Sequence, residues 1–231
     1  MTVRPGALPA LALALAACAH RGGEAPGAAG APPGYRLLFE ETFESDAALA
    51  RFTFTDPAAW RISRGDADGV PSLELAGPSR YEPAVRSPRS LALVAGIEVG
   101  DFDLEVDLLS TKDEYPHRDL VLVFGHESPD RFYYVHLASR PDENAHNVFV
   151  VDRAPRAPLA PVPARGVDWN NGGKNGAWHR FRLSRRGGDV EVSLDGEVVL
   201  AARDTRIARG RVGLGSFDDT GRFARLRVWG P

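Results

Sequence analysis

From Tyr35 to the C-terminus the chain is written in short runs of alternating apolar and polar residues, punctuated by Gly, Pro and Asp. Alternation with period two is the mark of a strand with one buried face. Phe102, Leu104, Val106 and Leu108 alternate with Asp101, Asp103, Glu105 and Asp107. The simple expectation is a strand with one core face and one solvated acidic face. Val190, Val192 and Leu194 repeat the pattern and run into Asp195-Gly196, a two-residue hairpin signal leading back through Val198 to Leu200. A strand over Arg211 to Phe217 turns at Asp218-Asp219-Thr220-Gly221 into a last strand, Arg222 to Trp229. No amphipathic helix longer than a couple of turns is visible. The pattern predicts an all-β, two-sheet antiparallel sandwich of about ten strands. Residues 153–176, rich in Pro and Gly, are predicted to be a long loop.

The middle of the chain carries the candidate chemistry. If Leu120, Leu122 and Phe124 point into the sandwich, Asp119, Val121, Val123 and Gly125 point away from it. On the next strand Tyr133, Val135 and Leu137 form the inward set and leave Phe132, Tyr134 and His136 on the opposite face. A ring for the apolar face of a sugar beside fixed polar groups for its hydroxyls is how a saccharide site is built. The strand from His146 to Asp152 is apolar at both parities, so it is expected to be covered on both sides, with the Pro-rich loop as a lid. The candidate ligand-binding set is therefore His117, Arg118, Tyr134, His146, Asn147, Arg156 and Trp169, with Asp119 and His136 as acid–base candidates. The alternative is that Tyr134 and His136 pack beneath the loop with their polar atoms satisfied.

Metal readings are weaker. His126, His136 and His146 lie on three consecutive strands, but parity puts His126 inside and His136 outside unless a bulge at Gly125 intervenes. Asp218 and Asp219 with Glu41 (or Glu40) would offer calcium several hard oxygens if the first and last strands adjoin, and a hydrogen-bonded turn is the competing reading. The glycines of Gly210-Arg-Val-Gly213-Leu-Gly215 fit no phosphate motif, and they read as strand glycines that let backbones approach closely.

At the other end of the chain, ALPALALALAA (Ala7 to Ala17) is too short an apolar run to span a bilayer and leads into the sole cysteine, Cys18. Leu15-Ala16-Ala17-Cys18 resembles a bacterial lipoprotein lipobox, which implies export, cleavage before Cys18 and lipidation there. Residues 1–18 are then a signal, 19–34 (Ala, Gly and Pro) a flexible tether, and 35–231 the folded domain. With 28 basic and 31 acidic side chains scattered along the chain, no basic stripe marks a nucleic-acid partner, and none is expected.

The run AWHRFRLSRRGGDVEVSLDGEVVLAARD followed by GRVGLGSFDDTGRFARLRV resembles the concanavalin A-like, laminin-G-like jelly-roll superfamily, including the domain labelled 3-keto-disaccharide hydrolase. FEETFES and HRDLVLVFGHESPDRFYYVHL extend the likeness over most of residues 36–229. The resemblance implies a jelly roll and either carbohydrate binding or glycoside hydrolysis or elimination, and it leaves room for a structural or partner-binding envelope module. Laminarinase-type members use Glu-x-Asp-x-x-Glu. Glu105-Val106-Asp107-Leu108-Leu109-Ser110 begins that motif and places Ser110 where the second glutamate belongs.

Overall fold

The computed structural model describes residues 1, 30–65 and 67–231; the signal and lipidation expected at residues 1–18, with Cys18, and most of the expected tether fall outside them. Among the described residues, fifteen strands, numbered in chain order, form two antiparallel sheets. The larger runs β13 (Glu197–Arg203), β12 (Asp189–Leu194), β11 (His179–Arg186), β6 (Phe102–Ser110), β15 (Gly221–Gly230), β4 (Ser72–Leu75) and β3 (Trp60–Ser63), with β1 (Arg36–Glu41) also paired to β15. The smaller runs β10 (Ala157–Pro158), β9 (Asn147–Asp152), β8 (Arg131–Ala138), β7 (Asp119–Ser128), β14 (Arg211–Ser216), β5 (Ser90–Val94) and β2 (Phe52–Phe54). The hairpin signal holds: Asp195 and Gly196 both take positive φ, 50° and 92°, between β12 and β13.

The alternation read from the sequence sets the core. Phe102, Leu104, Val106 and Leu108 of β6 meet Leu120, Leu122 and Phe124 of β7 and Tyr133, Val135 and Leu137 of β8 between the sheets, all essentially without exposed surface. Each such side chain contributes about 1.5–3 kcal/mol of burial. Trp169 belongs here too. The expectation that it sits over the outer face with Tyr134 is corrected, because its ring meets His179 and Phe181 in the inter-sheet core and its Nε1–H donates to Arg118 O at 3.1 Å.

The acidic face of β6 is not solvated. Asp103, Glu105 and Asp107 are each 1–2% exposed. Arginines from the flanking strands cover them: Arg180 on β11 grips Asp107 at 2.7 and 3.0 Å, Arg225 on β15 donates to the same carboxylate, and Arg186 donates to Asp103 at 2.6 Å. Strand alternation was legible here, and the covering charge was not. Arg225 reaches Asp107 because a bulge between Ala224 and Arg227 adds a residue to β15, with Arg225 at φ 51°.

Candidate functional site

A second apolar layer lies on the outer face of the seven-stranded sheet. Leu91 and Leu93 (β5), Val121 and Val123 (β7), Phe132 and Tyr134 (β8), and Phe149 and Val151 (β9) form it, with Val85 and Phe217 packed against it. The direction expected for Tyr134 is therefore found, and its accessibility is not. Its ring stacks on Phe149 at 5.3 Å and has no exposed surface. The segment after β9 is the cover, as expected: Arg156 donates to Tyr134 Oη at 3.1 Å and to Asn144 O at 2.6 Å, and its guanidinium lies 4.3 Å from the Phe217 ring centre. Burial, opposed by Arg156, pushes the Tyr134 phenol up from its ordinary value. Tyr134 thus stabilises a roofed layer and offers no ring face to a ligand.

Asp119 and His136 are brought together and sealed together. His136 Nε2 lies 3.4 Å from Asp119 Oδ2, and its Nδ1 faces Asn144 O at 3.2 Å. The Asp119 carboxylate accepts from Phe217 N at 3.2 Å and Ser216 Oγ at 3.3 Å. Next to it, Asp219 accepts from Tyr115 Oη at 2.8 Å and from Asp119 N at 2.8 Å. Burial, reinforced by the Asp119 charge, raises the Asp219 pKa above the ordinary carboxylate range. All three of Asp119, His136 and Asp219 are under 5% exposed, and the group ties the turn before β15 to β7 and β8. His146 is also buried: it takes φ 54°, its Nδ1 accepts from Ala138 N at 3.3 Å, and burial with the nearby His136 lowers its pKa to about 4. Asn147 spends its amide on Ala160 O at 2.7 Å. His117 is exposed and pairs with Asp142 at 2.7 Å, whereas its neighbour Arg118 is buried at the entry to β7, next to Asp119.

The calcium set is not assembled. Strands β1 and β15 adjoin as expected, but Glu41 stands opposite Leu226, well along β15 from the Asp218-Asp219 turn. Glu41 is occupied by Arg51 and the Phe43 amide, Asp218 by Arg89, and Asp219 by Tyr115. Among the described residues no group of three His, Cys, Asp or Glu side chains is placed to hold a metal ion. The bulge that parity demanded for the histidines does exist. Gly125, expected to point outward, takes φ 58° on the inner side, where a Cβ would meet the Tyr133 ring at 3.1 Å, and His126 is turned outward onto Phe132 at 5.3 Å. His126 then caps one end of the outer layer and His136 the other, with Phe132 and Tyr134 between them.

Where the roof ends, beside His126, the outer face opens into a pocket of about 390 Å³. Phe132, Leu91 and Leu93 form its apolar floor, and Tyr81 and Pro88 stand at its sides, while the Phe54 ring turns inward onto Phe52 and Trp60. Arg211, Glu127 and Thr53 add polar groups at the rim. Arg211 Nη2 lies 3.5 Å from His126 Nδ1; burial and that cation lower the His126 pKa to about 4, so the imidazole is neutral above that range. The candidates read from the sequence, Tyr134 and His136, lie on this same sheet face beneath the roof, and the open pocket lies at its other end. The usable signals were Gly125 as a bulge and Arg211 as its cross-strand neighbour. Tyr81 comes from a loop with no pattern to read.

No known family model matches this sequence, and no curated protein matches it. Solved structures do match in shape. Carbohydrate-binding module CBM66 from Bacillus subtilis aligns with TM-score 0.53 and 16% identity over 76% of this chain and 93% of that one. Domain 4 of AbnA, a GH43 extracellular arabinanase from Geobacillus stearothermophilus solved with arabinotriose, gives 0.51 and 13% over 84% and 92%. A protein of unknown function with a galectin-like fold from Bacillus subtilis gives 0.54 and 14% over 84% and 97%. At such identities the likeness is one of architecture: the chain has the concanavalin A-like, galectin-like jelly-roll fold.

Proposed function

We propose that the protein is an exported, lipid-anchored carbohydrate-binding module, tethered through Cys18 and acting on envelope or extracellular glycans. The observation that carries the binding reading is the pocket at the uncovered end of the seven-stranded sheet, where Tyr81 and a floor of Phe132, Leu91 and Leu93 meet Arg211, Glu127 and Thr53. That combination suits a pyranose or furanose ring, whose C–H face packs on rings while its hydroxyls need fixed donors and acceptors. The fold is also that of a carbohydrate-binding module and of an arabinanase domain solved with arabinotriose, which supports the same class of ligand. Anchoring rests on the lipobox-like Leu15-Ala16-Ala17-Cys18 alone.

Hydrolysis or elimination is the competing reading, and its acid–base pair, Asp119 with His136, is sealed from solvent. Binding without turnover is therefore expected. Affinity electrophoresis against a panel of polysaccharides tests it, with Tyr81→Ala and Arg211→Ala as probes of place. Retardation by at least one glycan, weakened about tenfold or more by each substitution, supports the site; a tenfold loss corresponds to about 1.4 kcal/mol. Retardation indifferent to both substitutions removes this pocket, and release of new reducing ends or unsaturated products makes the protein an enzyme.

A further inference from the structure

The chain holds 26 arginines and only two lysines, Lys112 and Lys174. They are 62 positions apart, in different loops, and both line the same pocket. This cavity, of about 230 Å³, lies where the end of β6, the segment 111–118 and the loop 170–176 converge. It is separated from the Tyr81 pocket by the length of β7, roughly 30 Å at about 3.3 Å per residue.

The pocket is built, and its floor is a buried cation. The Arg118 side chain is 3% exposed; its Nε donates to Ser110 Oγ at 2.8 Å, its Nη2 to Ser110 O at 2.9 Å, and its Nη1 to Glu114 at 2.8 Å and to Asn170 Oδ1 at 2.9 Å. The loop that brings Lys174 is pinned at both ends. Ala177 N donates to Trp169 O at 2.8 Å, closing its base on a buried tryptophan, and the Asp168 carboxylate accepts from Asn170 N at 3.1 Å and Gly172 N at 2.7 Å. Asn171 and Gly172, at φ 49° and 74°, turn the chain sharply just before Lys174. An Ω-like loop of this sort holds its tip in place without regular structure.

Charge and size narrow the ligand. Three cations, Arg118, Lys112 and Lys174, face two carboxylates, Asp113 and Glu114, leaving one net positive charge in a chain whose formal balance is −3. No aromatic ring lines the cavity, so it does not stack a sugar face as the Tyr81 pocket can. Its volume is below the roughly 300 Å³ at which drug-sized sites begin, which suits one small ring or an anionic head. Lysine also differs from arginine in kind: a compact ammonium on a flexible stem can follow a single anionic oxygen, where a guanidinium demands a planar partner.

We propose that this pocket binds the carboxylate of an acidic saccharide unit, with Lys112 and Lys174 as its ion-pair partners over the Arg118 floor. The choice of a sugar acid rests on the carbohydrate reading above, whereas the site itself is independent of the Tyr81 pocket. Reductive ¹³C-methylation of the full-length chain gives two lysine signals beside the N-terminal one, so occupancy is read directly by NMR. Titration with glucuronate is expected to shift both lysine signals saturably, glucose is expected to shift neither, and raising salt is expected to weaken the effect. Lys112→Gln and Lys174→Gln, at exposed positions, are each expected to weaken glucuronate about tenfold, while Tyr81→Ala leaves the titration unchanged. Absence of shifts overturns the proposal. Equal shifts with glucose, or with acetate alone, overturn it as well, the latter marking an adventitious anion only. Loss of neutral-glycan binding in Tyr81→Ala with these shifts retained supports both sites. Shifts abolished by Tyr81→Ala would overturn their independence.

Discussion

Replacing Asp107 by alanine puts the buried carboxylate layer to its most direct trial. On a solvated acidic strand the change would cost within about 0.5 kcal/mol. In the fold, the Asp107 side chain is 2% exposed, receives two N–H groups from Arg180 at 2.7 and 3.0 Å, and also receives Arg225. Removing one partner of such a pair costs about 3–5 kcal/mol, because the cation left behind keeps its desolvation penalty and loses its main counter-charge; around Arg180 the charges of Glu105 and Asp195 remain and soften the loss. The two arginines differ in how easily they escape. Arg225, with 40% of its side chain exposed, can turn to water; Arg180, at 11%, cannot do so without leaving the sheet face. The expected cost therefore falls at the lower end, about 3 kcal/mol, or roughly 6–12 °C in Tm at about 2–4 °C per kcal/mol for a domain of this size. Urea unfolding followed by tryptophan fluorescence measures it, with Glu191→Ala, exposed on the same sheet, expected to stay within about 0.5 kcal/mol. Asp107→Leu combined with Arg180→Met is expected to recover most of the loss, since an apolar replacement of a whole buried pair is often neutral. An Asp107→Ala protein within about 1 kcal/mol of the parent would refute the reasoning and return β6 to the solvated description.

Two further substitutions follow from the outer layer. At Gly215 a Cβ would meet Ser90 O at 2.1 Å and Leu91 Cδ2 at 2.9 Å, and a neighbouring strand's carbonyl cannot yield, so Gly215→Ala is expected to cost about 3 kcal/mol or more in urea unfolding. His146, with its pKa lowered to about 4 by burial and by His136, contributes stability that is fully present above the unfolded value near 6.5 and is lost as pH falls toward 4, because the unfolded chain takes up the proton first. The loss is at most about 3 kcal/mol, and His126, lowered for a similar reason, adds a comparable share. In His146→Asn, which keeps a residue tolerant of φ 54°, the drop in unfolding free energy between pH 7 and pH 4 is expected to shrink by about half; an unchanged pH profile would contradict the assignment.

Side-chain direction was legible because it is local. The inward sets Leu120, Leu122, Phe124 and Tyr133, Val135, Leu137 and the outward pair Phe132 and Tyr134 fall as alternation requires. What covers a face is not local. The arginines over Asp107 come from 73 and 118 positions away, so no window around β6 contains them. The same holds for Arg156 above Tyr134 and for the loop carrying Tyr81 beside His126. His126 itself was misplaced by one step of parity, because a glycine with no Cβ accepts the extra inward position that any other residue would refuse. Trp169 misled for a different reason: a tryptophan in a Pro- and Gly-rich segment looks like a surface ring, and here it plugs the inter-sheet core.

The seven-stranded sheet is bounded by β10, two residues ending in a proline, and β2, three residues long. Rows of unpaired amide and carbonyl groups that short give another chain nothing to zip onto. Two copies meeting along these borders would therefore find no run of free strand backbone long enough to merge them into one continuous sheet.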